Sequence, residues 1–224
     1  MSHAPIPTVS VSTADLRPAE LYLLLRDTVI PRPIAWVSTV SSAGQTNLAP
    51  FSFFNVCSPS PPVLGFSCGP RGDDHDGRHR VEKDTERHIR DVREFVVNVA
   101  PESLMDEMIR SADGLPPGES EFAHTGLTEA PSTLVRPPRV AEAPVAYECR
   151  LLDIIELGTN RWIMGTVVQA HIHQAVYSPG GASGRHRVDL LSQVATRPVG
   201  RLGRANYVRL REIESRLRRD GPNQ

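Results

Sequence analysis

The sequence is poor in cysteine and has no long hydrophobic run. Its three cysteines, Cys57, Cys68 and Cys149, are odd in number and widely spaced, and no CxxC pair occurs. A disulfide framework or a zinc knuckle is therefore not indicated, and a reducing cytoplasm is the expected compartment. The apolar run from Leu21 to Leu25 is far too short to span a bilayer, and the N-terminus lacks the basic and apolar segments of a signal peptide. We expect a soluble, unprocessed protein.

The chain also lacks an excess of charge of either sign and the common nucleotide-binding motifs. It carries 25 basic and 26 acidic residues, a formal net charge of −1. No global field would attract nucleic acid or an anionic membrane, so a small-molecule partner fits better. Neither GxGxxG after a strand nor a P-loop sequence occurs. The length of 224 residues suits one domain, which we place at 15–219 after a flexible arm at 1–14.

The stretch from Pro31 to Asn55 organises the chain. Alternate residues from Ile34 to Val40 share a face, which is the period of a strand, and Trp36 falls with Ile34 on the face expected to be core. A turn with a glycine follows, and a second extended run covers 47–54. Pro50 interrupts that run. Because proline has no N–H, this strand must lie at a sheet edge or a bulge, which leaves nearby N–H groups free for a ligand.

The remaining pattern predicts many strands and few helices. Extended runs cover Val63 to Cys68, Glu94 to Ala100, and a hairpin of Val145 to Leu157 and Arg161 to Val176, with a weaker signal near Leu134. Four short helices are predicted. The first follows Pro18 and has a buried stripe of Leu21, Leu24 and Leu25, and the second runs from a cap at Asp84 or Thr85 to about Arg93. The third begins at Pro101, and the fourth lies at the C-terminus with a stripe of Leu210, Ile213 and Leu217. This order predicts a mainly β antiparallel barrel with short helices.

Several blocks in order resemble the flavin reductase-like family. They are RPIAWVST, NLAPFSFFN, PPVLGFS, KDT, EFVVN, SEFAHTGLT and PRVAEAPVAYEC, and they fall between about Leu21 and Leu210. The resemblance implies an FMN-binding split barrel of Greek-key antiparallel strands. It also implies a homodimer with the flavin site at the subunit contact, and NADH or NADPH as the co-substrate.

The tripeptide Lys83-Asp84-Thr85 offers an ammonium, a hydroxyl and the free N–H groups of a helix start. Such groups form an anion site, and the family order favours binding of the FMN phosphate over an ordinary capped surface helix. For the flavin ring the resemblance points to one set of residues along the central hairpin, with Ser67 near the phosphate or ribityl chain. The set is Ser38, Thr39, Val40, Asn47, Ala49, Pro50, Phe51, Ser52, Phe53 and Phe54. Backbone N–H groups around Pro50 would stabilise the reduced cofactor.

Two histidine-containing segments suggest metal sites, but we do not predict one. His171 and His173 share a strand face, yet no third ligand stands at a recognisable spacing. His173 is instead assigned as a flavin or nicotinamide neighbour. The run Asp73-Asp74-His75-Asp76, with His79, is more typical of a solvated loop.

In the C-terminal segment RPVGRLGRANYVRL the resemblance places an arginine-glycine turn and a tyrosine near the flavin or the partner subunit. Here Arg204 replaces the usual second glycine, which leaves the contacts of Arg201 and Tyr207 open.

The sequence therefore predicts an NAD(P)H:flavin oxidoreductase that supplies reduced flavin to a partner monooxygenase. The cofactor carries the chemistry in such an enzyme, so no strong acid–base pair is expected. A non-catalytic FMN carrier or electron-transfer protein on the same fold is the main alternative, and an oxidase of the pyridoxamine-phosphate type is a more distant one.

Overall fold

The computed structural model describes residues 6–72, 80–116, 119–180 and 184–216. Within them the strands are β1 (Ala35–Val40), β2 (Thr46–Phe51), β3 (Phe54–Pro59), β4 (Pro62–Cys68), β5 (Glu94–Val99), β6 (Glu129–Ala130), β7 (Arg139–Val140), β8 (Val145–Leu157), β9 (Asn160–Ile172), β10 (Tyr177–Ser178), β11 (Arg187–Val188), β12 (Val199–Arg201) and β13 (Tyr207–Arg209). The α-helices are α1 (Pro18–Thr28), α2 (Asp84–Val92), α3 (Met105–Arg110) and α4 (Glu121–Thr125).

Seven strands form the main sheet, in the order β2-β1-β5-β8-β9-β4-β3, and the paired strands are antiparallel. The mainly β split-barrel fold predicted from the sequence is confirmed. Strand β2 lies at one edge of the sheet, as the proline within it requires, and Pro50 stands opposite Trp36 of β1. The predicted run 47–54 is divided, because β2 ends at Phe51 and β3 begins at Phe54.

Strand β1 is buried on both faces, and its alternation separates two apolar clusters. Ala35 and Val37 pack into a cluster with β4, β5, β8 and β9, which also takes in Ile89 of α2. Ile34 and Trp36 pack into a second cluster with α3 and α4. The prediction that Trp36 is core is confirmed, since its side chain is fully buried and its Nε1 donates to Ser111 Oγ over 2.8 Å. The central hairpin is thus fixed from both sides.

Helix α1 forms where it is predicted, but its stripe is not buried in the single chain. Leu24 and Leu25 are 44% and 54% exposed. Only Leu21 of the three predicted residues is half-buried. The prediction that Leu24 and Leu25 are buried is therefore wrong for the single chain.

Helix α2 also differs slightly from the prediction at its start. Lys83 is the N-cap residue, and neither Asp84 nor Thr85 caps the helix. The Asp84 carboxylate instead pairs with Arg71 and Arg87. Both predicted caps are in the first turn of the helix.

The predicted C-terminal helix is absent from the described residues up to 216. After Gly200 the chain forms the β12–β13 hairpin, and residues 210–216 have no regular structure. Arg211 forms a bidentate ion pair with Glu102, in which Nη1 donates to Oε2 and Nη2 donates to Oε1, each over 2.6 Å. This pairing competes with a helix over 210–217. Leu217 itself lies outside the described residues.

The predicted strand near Leu134 is also absent. The N–H groups of Thr133 and Leu134 each donate to the Glu148 carboxylate, at 2.6 Å, instead of to a neighbouring strand. The predicted loop with Asp73, Asp74, His75, Asp76 and His79 lies outside the described residues. Across the described part of the chain, no helix has both the length and the apolar composition that crossing a bilayer requires.

Candidate functional site

A cleft of about 570 Å³ lies between the edge strand β2, the start of α2 and the segment 111–116. Its size falls within the range of small-molecule sites, roughly 300–1,000 Å³. Asn47, Ala49, Pro50 and Phe51 line one wall, and the start of α2 lines another. The organising stretch of the sequence and the KDT tripeptide therefore meet at one site.

The start of α2 presents positive charge to the cleft. Lys83, Arg71 and Arg87 line it, and the two arginines pair with the Asp84 carboxylate, so of these three cations Lys83 is the one without an ion pair to a described residue. Acidic residues line other parts of the cleft: Glu82, Asp113, Glu119 and Glu121. The first-turn N–H groups of α2 have no acceptor within the helix, as at any helix start. The Lys83 ammonium lies 5.7 Å from the centroid of the Phe51 ring. Positive charge, free N–H groups and an aromatic ring thus adjoin one another, a combination that suits an aromatic ligand with a phosphate.

A buried polar network joins β1, β2 and α2 beneath this wall. Asn47 Nδ2 donates to Thr85 Oγ1 over 3.1 Å and to Thr39 Oγ1 over 3.4 Å. Thr39 Oγ1 also lies 3.2 Å from His88 Nδ1. Burial, with a smaller contribution from the charge of Arg87, lowers the pKa of His88. The network fixes the start of α2 against the edge strand.

The outer edge of β2 carries few free N–H groups. Leu48 N donates to the Glu121 carboxylate over 2.9 Å, so this N–H points away from β1. The backbone nitrogen of Pro50, two residues further along β2, points to the same outer side of the strand. The missing N–H of this proline therefore removes no hydrogen bond between β2 and β1. The N–H groups of Ser52 and Phe53, in the break between β2 and β3, have no hydrogen-bond partner among the described residues. Unpaired N–H groups therefore lie within three residues of Pro50 in the described chain, and their contact with a flavin stays a prediction.

The predicted site residues fall into three groups. Those lining the cleft are Asn47, Ala49, Pro50, Phe51, Lys83, Asp84 and Thr85. Ser52 and Phe53 line a second, smaller cleft that Pro50 also borders. The others line neither cleft in the single chain: Ser38, Thr39, Val40, Phe54, Ser67 and His173.

The residues of the third group have other contacts. Ser38 Oγ donates to Pro138 O over 2.5 Å, and Ser67 Oγ accepts from Asn160 Nδ2 over 2.8 Å. Thr39 belongs to the buried network. His173 Nε2 lies 3.0 Å from Ala141 O.

His171, which is half-buried, pairs with a carboxylate away from the cleft. Its Nε2 lies 2.5 Å from Glu148 Oε1, and Glu148 is fully buried. Burial alone would raise the Glu148 pKa, but hydrogen bonds from Thr133 N, His171 and Leu134 N together lower it. Among the described residues no group of three or more His, Cys, Asp and Glu side chains could hold a metal ion. His171 thus ties β9 to the segment at 133–134.

Sequence reasoning did not identify Arg71, Glu121 or the segment 111–116 as parts of the site. Glu121 lies 73 positions from Leu48, the residue whose N–H it accepts. For Lys83, which the sequence did identify, the composition adds a further signal. Lys83 is the only lysine in the chain, beside 24 arginines.

The residues present fit FMN. The cleft places the positive start of α2 next to Phe51 and Pro50, so a phosphate and an adjoining ring can be held together. Ser52 and Phe53, whose N–H groups have no hydrogen-bond partner among the described residues, line the adjoining smaller cleft.

Known proteins resemble this chain along most of its length. A family model described as flavin reductase like domain matches residues 25–187. The YwrF protein of Bacillus subtilis (strain 168) is 38% identical over 199 residues, 86% of this chain and 90% of that protein.

Two solved structures are similar in fold and in sequence. Nitrilotriacetate monooxygenase component B from Bacillus cereus has a TM-score of 0.83 and 30% identity, covering 94% of this chain and all of that one. Pseudomonas fluorescens 2-nitrobenzoate 2-nitroreductase NbaA has a TM-score of 0.78 and 29% identity, with coverages of 96% and 99%.

Proposed function

The chain belongs to the flavin reductase-like family, and from this premise we propose that it is an NAD(P)H-dependent flavin reductase that binds FMN. The observation that carries the proposal is the cleft in which the start of α2, with Lys83, adjoins the edge strand at Phe51. Bound FMN would supply the redox chemistry, accepting a hydride from NADH or NADPH.

Different residues of the cleft bind the phosphate and the ring of the cofactor. Lys83 and the hydroxyl of Thr85 bind the phosphate, with the first-turn N–H groups of α2. Pro50 and Phe51 cover the ring. Backbone N–H contacts with its pyrimidine edge, where fixed donors would stabilise negative charge, stay a prediction, since the unpaired N–H groups of Ser52 and Phe53 belong to residues of the second cleft. Contacts of Ser38, Thr39, Val40, Phe54, Ser67 and His173 with the cofactor stay predictions.

Asn47 acts as a positioning residue in this proposal. Its hydrogen bonds to Thr85 and Thr39 hold α2 against β2. The distance between the residues that bind the phosphate and the residues that cover the ring is therefore fixed. Preorganised donors of this kind need no rearrangement when the ligand binds.

We also propose a cytoplasmic homodimer that supplies reduced flavin to a partner monooxygenase. The 30% identity to a monooxygenase component B supports the partner class. The apolar side chains exposed on α1 support a contact with a second copy. Leu23 and Leu24 are each 44% exposed and Leu25 is 54% exposed, in consecutive positions.

Reduction of a nitroaromatic acid is a second candidate, supported by the 29% identity to a 2-nitrobenzoate 2-nitroreductase. One assay separates the two. NADH and NADPH oxidation in air is followed with added FMN and, separately, with 2-nitrobenzoate. A rate that rises with added FMN alone supports the flavin reductase, whereas a rate that rises only with 2-nitrobenzoate supports the nitroreductase. Oxidation of neither nucleotide under any condition would contradict both.

A further inference from the structure

The second cleft lies beside the first, across Pro50. Its volume is about 190 Å³, and Pro50 and Ala112 line both clefts. Sites for whole ligands are larger, roughly 300–1,000 Å³, so this cleft suits one part of a larger molecule that also occupies the neighbouring space.

Three arginines line this cleft, Arg26, Arg32 and Arg201, and no acidic residue does so among the described residues. Arg26 is paired with the Asp27 carboxylate, Nε to Oδ1 at 2.8 Å. The two other guanidinium groups leave the cleft with an excess of positive charge. An anion is therefore the ligand that its charge favours.

Arg32 is a buried cation with no carboxylate partner in the described structure. It is 5% exposed, and its guanidinium donates to the carbonyls of Arg26, Val29 and Leu202 at 2.6, 2.7 and 3.1 Å. Carbonyl groups satisfy its donors without neutralising its charge. Burial, followed by the charge of Arg201, lowers the Arg32 pKa. A bound anion would compensate both guanidinium groups.

Arg201 is held in place but keeps donors for a ligand. Its Nη2 donates to Arg204 O over 2.6 Å, and its guanidinium lies 4.4 Å from the centroid of the Tyr207 ring. In the described part of the chain its Nε and Nη1 have no hydrogen-bond partner. A guanidinium fixed in this way can donate to a phosphate group through the nitrogens that remain unpaired.

Resting on the function proposed above, we propose that the second cleft binds the diphosphate of the nicotinamide dinucleotide, with Arg201 as its hydrogen-bond donor. The position across Pro50 directs the nicotinamide toward the first cleft. Tyr22 precedes the matched range 25–187, and Arg201 and Tyr207 follow it. These three of the eleven described lining residues come from segments outside the matched range, and the other eight lie within it.

Calorimetric titration with ADP-ribose tests the proposal on the FMN-loaded protein. This probe carries the diphosphate but no nicotinamide, so its binding does not depend on hydride transfer. R201Q should weaken binding about tenfold to a hundredfold, the equivalent of a lost hydrogen bond to a charged group. R201K should weaken it less, and all variants should keep their FMN.

R209Q is the matched control. It makes the same charge change on β13, where the side chain is half exposed and Arg209 Nε lies 3.8 Å from Glu102 Oε1. Its ADP-ribose affinity should equal that of the wild type. The proposal is overturned if the wild type does not bind ADP-ribose, if R201Q and R209Q behave alike, or if R201Q loses FMN.

Kinetics give a second, independent measurement. R201Q should raise the KM for NADH by a similar factor, and should impair the reaction with N-benzyl-1,4-dihydronicotinamide, which has no phosphate, at least about tenfold less. An equal loss with both reductants contradicts the phosphate contact. If the wild type oxidises neither NADH nor N-benzyl-1,4-dihydronicotinamide, the proposed reductase function is contradicted. The ADP-ribose titration still tests the diphosphate subsite in that case.

Discussion

Asn47 and Thr85 join the edge strand to the helix that follows Lys83: Asn47 Nδ2 donates to Thr85 Oγ1 over 3.1 Å. Both side chains are buried, and both line the same cleft. The bond connects two segments that are 38 positions apart. It therefore sets the distance between the positive helix start and the strand that ends at Phe51, which are the two parts of the proposed FMN site.

Removing the Lys83 ammonium should weaken FMN without weakening riboflavin, which has no phosphate. The expected loss for Lys83→Ala is about 1.5–3 kcal/mol, as for a hydrogen bond between charged groups. Fluorescence titration with the two flavins measures it, and Lys83→Arg, which keeps the charge, is the control. Equal weakening of both flavins would exclude the phosphate contact.

The single lysine offers a chemical form of the same test. An amine-reactive acylating reagent can modify one side chain in this protein, Lys83, besides the terminal amine. Peptide mapping should show protection of Lys83 by FMN and much less by riboflavin. Labelling at the same rate with and without FMN would place the phosphate elsewhere.

The central hairpin and the KDT helix start were predictable because the signals are local. Alternation from Ile34 to Val40 and a proline within the next strand specify which faces and edges are used. The acceptor of the Leu48 N–H was not predictable, since Glu121 is 73 positions away. The same holds for Leu24 and Leu25, because a helical stripe shows that a face is apolar but not which molecule covers it. The C-terminal stripe failed for another long-range reason, the Arg211–Glu102 pair.

Replacing Arg204 by glycine should stabilise the fold slightly. Arg204 has a φ of 57°, in the left-handed region that favours glycine, and its side chain is exposed. Relief of that strain, partly offset by the greater freedom of glycine in the unfolded chain, should raise the free energy of unfolding by up to about 1 kcal/mol. Urea denaturation measures the change. Arg204→Ala removes the same side chain but keeps the strained backbone, so a gain as large for alanine would contradict this account.

Glu148 should make the stability depend on pH in the acid range. Its pKa is lower in the folded protein than the 4.5 of an unperturbed glutamate. Its contribution to the free energy of unfolding is therefore complete above pH 4.5 and is lost as the pH falls through the lowered folded-state pKa. Glu148→Gln should cost about 1–3 kcal/mol at pH 7 and reduce the slope in acid.

Denaturant titrations between pH 3 and 7 measure both effects. Glu142 is the control, because its exposed carboxylate also accepts a backbone N–H, that of Thr128 at 3.1 Å. Glu142→Gln should change the acid slope little. An unchanged slope in Glu148→Gln would show that another group sets the acid dependence.

The proposed homodimer makes a prediction about α1. Light scattering on the FMN-bound protein should give about twice the chain mass of 24.6 kDa. Leu24→Glu should shift the protein toward monomers and weaken FMN, since the flavin site is proposed at the subunit contact. Val188→Glu, at a valine that is also 44% exposed, is the control and should stay dimeric. A monomeric wild type with full FMN affinity would refute the dimer.

Anaerobic mixing of the FMN-loaded protein with NADH, and separately with NADPH, tests the reductase function most directly. The visible flavin absorption is followed by stopped flow. The account predicts that at least one nucleotide bleaches the flavin on the order of a second or faster, as expected for an enzyme. If dithionite bleaches the bound flavin and neither nucleotide does, the protein is a flavin carrier and not a reductase.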